Sequence, residues 1–169
     1  EAGVFEDSQV AHDAKARQWA WGSDAAADFP STSQIAIVDR DSSAVSMTTT
    51  IENGFGSRLM TEGGFLLNNE LTDFSFVPLD HGKPVANRVE PGKRPRSSMA
   101  PTIVYDRAGR VAIITGSPGG SAIIDYVVKM LLAIIDWKLD LPAASALPNF
   151  RIRNGHTVLE KGPDVPSLT

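Results

Sequence analysis

The alternation of apolar and polar residues predicts two β-hairpins in the chain. Apolar residues recur through residues 34–40 and 44–50, and a short polar turn separates the two runs. The same pattern returns in residues 102–105 and 111–115, again around a polar turn. Short alternating runs that flank such a turn are typical of antiparallel strand pairs. Thr32 lies at the start of the first predicted strand.

Beyond the hairpins, the pattern predicts one long helix and few other regular elements. The apolar run from Ser121 to about Leu139 predicts a buried helix, followed by a short helix around Pro142–Ala146. Phe65–Leu67 is predicted to be a short strand, whereas residues 77–96 contain four prolines and are predicted to form a long loop. The last stretch of the chain offers no strand or helix that would close a sheet. Strands followed by a buried helix indicate an α+β fold, with helices covering an antiparallel sheet.

Composition and charge narrow the classes of function. The 169-residue chain has 42% apolar and 21% charged residues, as a globular domain does, and no apolar run is long enough to span a membrane. The net charge of −4 argues against nucleic acid as a partner, because such binding depends on clustered Lys and Arg. The basic cluster of Lys93, Arg94 and Arg96 is interpreted as a solvated loop. With no Cys and three scattered His residues, neither a metal nor an organic cofactor is predicted.

Thr32 is a candidate nucleophile. A hydroxyl is a weak nucleophile near neutral pH and needs a base within hydrogen-bonding distance. Cleavage of the Ser31–Thr32 bond would give Thr32 a free α-amine with a pKa of about 8, which can act as that base. A β-branched residue also commonly begins a strand, and the pattern alone favours that structural role.

The glycine-rich segment Gly116–Ser121 lies between an apolar strand and the predicted long helix. Glycines allow a sharp turn and a close backbone approach, so that free N–H groups can stabilise negative charge in an oxyanion hole. A strand-to-helix turn with Ser121 as the helix cap fits the local sequence equally well. A phosphate-binding loop is disfavoured, because neither glycine-rich phosphate motif is present.

Two further polar clusters are candidates for binding a substrate. Glu70 and Asp73, with Asn69, follow a short apolar strand, and their carboxylates could hold an ammonium group. Ser97 and Ser98 could donate hydrogen bonds to a carboxylate. A turn with a helix cap explains the first cluster as well, and a loop cap explains the second, so spacing alone does not decide.

Four stretches, taken in order, resemble one known family. They are residues 32–39, 65–74, 91–102 and 115–121. Together they resemble the small subunit of gamma-glutamyltranspeptidases, which belong to the N-terminal-nucleophile hydrolase superfamily. The similarity runs over roughly residues 32–150 in unbroken order, and several ordered motifs are more specific than any single one.

The resemblance implies a precursor that cleaves itself before Thr32 and folds as an αββα sandwich. Residues 1–31 would then be the tail of the large subunit and a processing linker. Residues 32–169 would be the small-subunit catalytic region, C-terminally truncated, so that the sandwich is an incomplete fragment. The large subunit of the same precursor would be the protein partner, and would supply an arginine for the substrate carboxylate. A periplasmic or extracellular location is implied by the resemblance alone.

The resemblance also implies roles for individual residues. Thr32 would be the nucleophile and Thr50 its hydrogen-bond partner. The other implied roles are the oxyanion-hole amides of Gly119 and Gly120, the substrate α-amine contacts of Glu70 and Asp73, and the α-carboxylate contacts of Ser97 and Ser98. The implied activity is that of a gamma-glutamyltransferase or glutathione hydrolase. Attack on a gamma-glutamyl amide such as glutathione would form an ester of Thr32, which water, an amino acid or a peptide would release.

Three departures from the family pattern bear on these roles. Gln34 stands where many members have His, which would affect autoprocessing. Glu52 stands where members usually have an Asn that contacts the substrate, so it is a candidate substrate-binding residue that would alter selectivity. The loop of residues 77–90 is short compared with members that carry a lid. A glutaryl or cephalosporin acylase on the same scaffold is the alternative enzyme, and a fragment left uncleaved at Ser31–Thr32 is expected to be inert.

Overall fold

The computed structural model describes Gly22 and residues 31–153 and 156–160, with the side chains of Arg153 and His156 excepted. These residues form antiparallel hairpins, two α-helices and two short 3₁₀ helices. The strands are β1 Ser33–Val38, β2 Ala44–Thr49, β3 Leu79–Asp80, β4 Lys83–Pro84, β5 Thr102–Tyr105, β6 Val111–Thr115, β7 Phe150–Arg153 and β8 His156–Leu159. The helices are α1 Ile123–Ile135 and α2 Leu141–Ala146, and the 3₁₀ helices are Glu70–Asp73 and Gly120–Ala122.

Both predicted hairpins are confirmed, and an aspartate closes the turn of each. In the β1–β2 turn, the Asp39 carboxylate accepts hydrogen bonds from the backbone N–H groups of Asp41 and Ser43, each at 2.8 Å. In the β5–β6 turn, Asp106 accepts from the N–H groups of Ala108 and Arg110 in the same way. Aspartate favours such turns because its short carboxylate reaches the backbone two residues further on.

A polar network joins β2 to β6. The Gln34 carboxamide accepts from the Thr48 hydroxyl at 2.5 Å and donates to the Ser46 hydroxyl at 3.0 Å. Ser46 in turn donates to the Thr115 carbonyl at 2.9 Å. Gln34 also packs so closely on Gly116 that a Cβ there would collide with its carboxamide. The network therefore holds Gly116, the first residue of the Gly116–Ser121 loop, against Gln34 of β1. Gln34 lies two residues after Thr32.

Helix α1 is shorter than the sequence predicts. It begins at Ile123, after the 3₁₀ turn, and the chain reverses at Lys138, whose φ of 59° is left-handed. The sequence does not predict this reversal, because Gly or Asn usually occupies a left-handed position after a helix and residue 138 is a lysine. The predicted short helix is confirmed as α2, which is capped by Asp140.

The expectation that the long helix is buried holds for one face of α1. That face buries four side chains, Ile123, Val127, Lys129 and Ala133. Lys129 donates to the Leu147 carbonyl at 2.9 Å, and burial lowers the pKa of this lysine. On other faces of the helix, Ile124, Val128, Leu132 and Ile135 remain between 38% and 51% exposed.

Three sequence predictions are corrected. Phe65–Leu67 is not a strand, because only an isolated bridge between Met60 and Leu66 forms there. The predicted long loop contains the β3–β4 hairpin. The last stretch does form strands, β7 and β8, which pair antiparallel. The signal overlooked for this hairpin is Asn154–Gly155, a favoured two-residue hairpin turn between short alternating runs.

The combination of helices and antiparallel hairpins agrees with the predicted α+β class. The four-layer αββα arrangement stays a prediction. The proposed tail, residues 1–31, lies mostly outside the described residues; its Gly22 donates a backbone hydrogen bond to Pro84 at 2.9 Å. Within the described part of the chain, no helix has the length and apolar character that a membrane span requires.

Candidate active site

One cavity collects most of the residues that the sequence singled out. Eight of the nine candidates line it: Thr32, Thr50, Glu52, Glu70, Asp73, Ser97, Ser98 and Gly120. Four residues that were not site candidates complete the lining: Arg96, Met99, Ser121 and Ile123. The ninth candidate, Gly119, is absent from the lining. The cavity measures about 40 Å³, room for a few water molecules.

Strand register brings the two threonines together. Ser33 pairs with Thr49 at the end of the β1–β2 ladder, so Thr32 and Thr50 leave the same end of the hairpin. Both are half-buried and face the cavity. The Thr50 hydroxyl oxygen accepts a hydrogen bond from the Glu52 N–H at 2.9 Å, which fixes its direction. The cavity therefore holds a hydroxyl nucleophile candidate beside a second, oriented hydroxyl.

Glu52 combines three features that each cost stability. It is charged yet only 3% exposed, and its backbone is left-handed, with φ at 72°. One carboxylate oxygen accepts from the Asn69 amide, while the other is buried with no hydrogen-bond partner. A buried, unsatisfied charge on a strained backbone is rare, and such residues concentrate at functional sites.

Glu70 and Asp73 place two more carboxylates at the cavity. They lie three residues apart in a 3₁₀ helix, where side chains at that spacing fall on the same face. Glu70 also has a buried oxygen without a hydrogen-bond partner. Burial raises the pKa of Glu70, with further contributions from the charges of Asp73 and Glu52 and a hydrogen bond with Asp73. The three acids thus repel one another across a space that suits a cation.

Hydroxyl and guanidinium groups lie on the loop before β5. Ser97 and Ser98 line the cavity, and the Ser97 hydroxyl oxygen accepts from the Met99 N–H at 3.3 Å. Arg96, interpreted from the sequence as part of a solvated loop, is half-buried and lines the cavity beside them. That interpretation is wrong for Arg96, although Lys93 and Arg94 are exposed as expected.

The glycine pair has a backbone that other residues rarely adopt. Gly119 has φ at 137° and Gly120 has φ at 58°, both left-handed. A Cβ on Gly119 would also lie 2.7 Å from the Tyr126 ring. Gly120 faces the cavity together with Ser121, whereas Gly119 lies on the side of the loop that faces Tyr126. The loop thus brings Gly120 to the threonine cavity, at the N-terminal end of α1.

Two asparagines hold the acids in place: Asn69, which was named from the sequence beside the acids without this role, and Asn87, which sequence reasoning missed. Asn69 donates to Glu52 and, at 3.0 Å, to the Thr72 hydroxyl. Asn87 donates to the Asp73 carbonyl at 2.7 Å and accepts from the Arg96 N–H at 2.9 Å. No local pattern marks Asn87, because its partners lie in separate segments. Among the described residues, no group of three His, Cys, Asp or Glu side chains is arranged to hold a metal ion.

Comparison with protein families gives a match over nearly the whole chain. The family model described as gamma-glutamyltranspeptidase matches residues 4–167. This match continues through the segment before Thr32 and through the β7–β8 hairpin.

Individual proteins agree with the family match. The chain is 42% identical over 128 residues to the glutathione hydrolase proenzyme of Escherichia coli, covering 70% of this chain and 21% of that protein. It is 45% identical over 121 residues to the proenzyme of the same name in Pseudomonas aeruginosa, covering 68% and 22%. The chain therefore spans about a fifth of the length of these curated relatives. Among solved structures, a variant of Helicobacter pylori gamma-glutamyltranspeptidase aligns with a TM-score of 0.67 and 38% identity, covering 79% of this chain and 77% of that one.

Proposed function

Because the chain belongs to the gamma-glutamyltranspeptidase family, we propose that it carries the catalytic centre of a gamma-glutamyl transferase or hydrolase. Cleavage at Ser31–Thr32 would create the nucleophile, and gamma-glutamyl amides such as glutathione would be the substrates. Proteins with the name glutathione hydrolase proenzyme are among its relatives, which supports both the substrate class and the processing step.

The acidic lining of the cavity is the observation that carries this proposal. Glu52, Glu70 and Asp73 converge on one small space, and two of them keep buried oxygens without partners. An ammonium group that entered this space would satisfy those oxygens and end the mutual repulsion of the carboxylates. The α-ammonium of a glutamyl group is such a ligand, and Ser97 and Ser98 would hold the α-carboxylate on the same carbon.

The proposed reaction begins at Thr32. While Ser31 is attached, the nitrogen of Thr32 is a peptide amide and cannot act as a base; after cleavage it is an amine. This amine would take the proton from the hydroxyl as the oxygen attacks the γ-carbonyl carbon. The resulting oxyanion would be stabilised by the backbone N–H of Gly120, which lines the cavity, and, on family resemblance, by that of Gly119.

The second half of the reaction releases the acyl group. Collapse of the tetrahedral intermediate would break the amide bond, and the leaving amine would take the proton held by the Thr32 amine. The gamma-glutamyl ester on Thr32 would then be attacked by water, giving glutamate, or by an amino acid or peptide, giving a new gamma-glutamyl amide. The Thr50 hydroxyl would orient the Thr32 oxygen in both steps.

The same lining argues against a glutaryl acylase. A glutaryl group has the carboxylate of a glutamyl group but no ammonium, so it would bring no positive charge to the acids of the cavity. The charge-assisted hydrogen bonds that the ammonium would make are worth a few kcal/mol, which corresponds to a preference of roughly a hundredfold for the gamma-glutamyl donor.

We also propose the large subunit of the same precursor as the partner of this chain and the αββα sandwich as the complete fold. Apolar residues of the β1–β2 hairpin such as Ile37 and Val38 are 56% and 57% exposed, and α1 exposes a further apolar face. A sandwich in which additional elements cover the sheets and the helix would bury these surfaces. A periplasmic or extracellular location is proposed on family resemblance, and cell fractionation would test it.

Intact-mass and N-terminal analysis of the purified full-length protein tests the proposal first. We expect these measurements to find a chain that begins at Thr32. In a separate rate assay, we expect the protein to release product from a gamma-glutamyl anilide much faster than from a glutaryl anilide. Thr32→Ala should remain uncut and lose at least about a thousandfold in rate, because the nucleophile and its base are both removed.

Thr32→Ser provides the matched control, because it keeps both the hydroxyl and the α-amine. It should retain processing and measurable turnover. Equal rates for wild type and Thr32→Ala would refute the proposed nucleophile. A single uncut wild-type chain without turnover would refute the proposed activity and leave a non-catalytic relative.

A further inference from the structure

Arg96 occupies a position in the cavity that its sequence neighbourhood does not suggest. It is half-buried, whereas its neighbours Lys93 and Arg94 are exposed. It lines the cavity together with Ser97 and Ser98, which directly follow it. Arg96 therefore lines a small cavity together with three acidic residues and with the serines that follow it.

The backbone at Arg96 is fixed to the acidic side of the cavity by one side chain. The Asn87 carboxamide accepts from the Arg96 N–H at 2.9 Å and donates to the Asp73 carbonyl at 2.7 Å. The Asn87 carbonyl further accepts from the Ser75 N–H at 2.9 Å. The backbone of Arg96 is therefore tied through Asn87 to the backbone of Asp73, one of the acids proposed to bind the ammonium, and such support helps a site recognise a ligand that carries both charges.

We propose that Arg96 is a specificity-determining residue that binds the α-carboxylate of the gamma-glutamyl donor, together with Ser97 and Ser98. The inference rests on the proposed function. Serine hydroxyls are neutral donors, whereas a guanidinium offers a planar pair of N–H groups that matches a carboxylate and brings the opposite charge. The family resemblance implies an arginine from the large subunit at this carboxylate, so Arg96 would be a second cation, supplied by this chain.

A second role for Arg96 is chemically reasonable and predicts a different result. The guanidinium would instead neutralise the acids of the cavity, in which case its loss would affect every donor alike. Three anilides separate these roles. The gamma-glutamyl anilide has both charged groups, the 4-aminobutyryl anilide lacks the α-carboxylate, and the glutaryl anilide lacks the α-ammonium.

The experiment measures kcat/KM of the full-length protein and its Arg96→Met variant on all three anilides. We expect Arg96→Met to lose roughly 10- to 100-fold on the gamma-glutamyl anilide, the range of a charge-assisted hydrogen bond. The loss on the 4-aminobutyryl anilide should stay within about threefold, because the contact is not made there. Arg96→Lys should fall between wild type and Arg96→Met, since lysine keeps the charge but not the planar fork. Arg94→Met, on the same loop but exposed, should match wild type on every donor.

Calorimetric titration with L-glutamate and with 4-aminobutyrate gives a readout that needs no turnover. Arg96→Met should weaken the binding of glutamate roughly 10- to 100-fold and leave that of 4-aminobutyrate within about threefold. Equal losses for both ligands, or no loss for glutamate, would overturn the inference. Failure of the proposed function is a separate result: wild type would then be as slow as Thr32→Ala, whatever the Arg96 variants bind.

Discussion

Replacing Glu52 with glutamine should make the protein more stable and less active. Glu52 is 3% exposed, so solvent screens its charge little, and one of its oxygens has no hydrogen-bond partner. It also adds to the repulsion on Glu70, whose pKa is raised mainly by burial and then by the charges of Asp73 and Glu52. Glutamine keeps the size and shape of the side chain while it removes the charge.

The magnitude follows from two opposing contributions. An unsatisfied buried polar group costs about 1–3 kcal/mol, and more when it is charged. Against this gain, the hydrogen bond from Asn69 changes from charge-assisted to neutral, which loses about 1 kcal/mol. The net stabilisation is then at most about 2 kcal/mol. For a domain of this size each 1 kcal/mol raises the melting temperature by roughly 2–4 °C, so the increase is at most about 8 °C.

The assay pairs thermal denaturation with turnover. Glu52→Gln should melt at a higher temperature and lose roughly 10- to 100-fold in kcat/KM on a gamma-glutamyl anilide, while turnover of a glutaryl anilide stays the same or rises. Glu62→Gln removes an exposed carboxylate outside the cavity and should change neither property. A lower melting temperature for Glu52→Gln, or equal losses on the two anilides, would refute the reasoning.

Two further predictions concern the rest of the acidic cluster. The folded state binds a proton at Glu70 more tightly than the unfolded state, so stability should fall as pH rises from 4.5 through its raised pKa. Urea midpoints of the wild type and of Glu70→Gln, measured between pH 4 and 8, test this expectation. The decline should be missing in Glu70→Gln, and a decline equal to that of the wild type would contradict the prediction. Asn87→Ala removes the bonds to Asp73 and Arg96, so it should cost about 1–3 kcal/mol and raise KM for gamma-glutamyl donors more than it changes kcat. An unchanged KM would show that the hydrogen bonds of Asn87 do not position the residues that line the cavity.

Local patterns in the sequence were sufficient to predict the hairpins whose turns are closed by local hydrogen bonds. The β1–β2 and β5–β6 hairpins were predictable because Asp39 and Asp106 close their turns within four residues. The end of α1 was not, since it depends on a left-handed Lys138 rather than on a glycine. The β7–β8 hairpin had a local signal in Asn154–Gly155 that the flanking charged residues obscured.

The candidate site residues were predicted from family resemblance and not from pattern, and their roles stay predictions. Separate segments supply Thr32, Glu52, Glu70 and Ser97, and nothing in their spacing indicates that they share a cavity. The sequence predicts a solvated Arg96, because an arginine between prolines is usually exposed, whereas in the structure Arg96 is half-buried. Its burial depends on the hydrogen bond of its backbone to Asn87, a contact between side chain and backbone that no local rule anticipates.

The arrangement of charges in the cavity has a consequence for which carbonyl of the donor would react. The acids of residues 52–73 and the donors of residues 96–98 line the same cavity. In the proposed complex, a head group that carries ammonium and carboxylate on one carbon would be oriented by placing the ammonium at the acids and the carboxylate at the donors. Its side chain would then extend toward Thr32 at the start of the β1–β2 hairpin. The α-carboxylate would be held among hydrogen-bond donors, so the γ-carbonyl would reach the hydroxyl, and the proposed selectivity for gamma-glutamyl bonds would follow from charge placement.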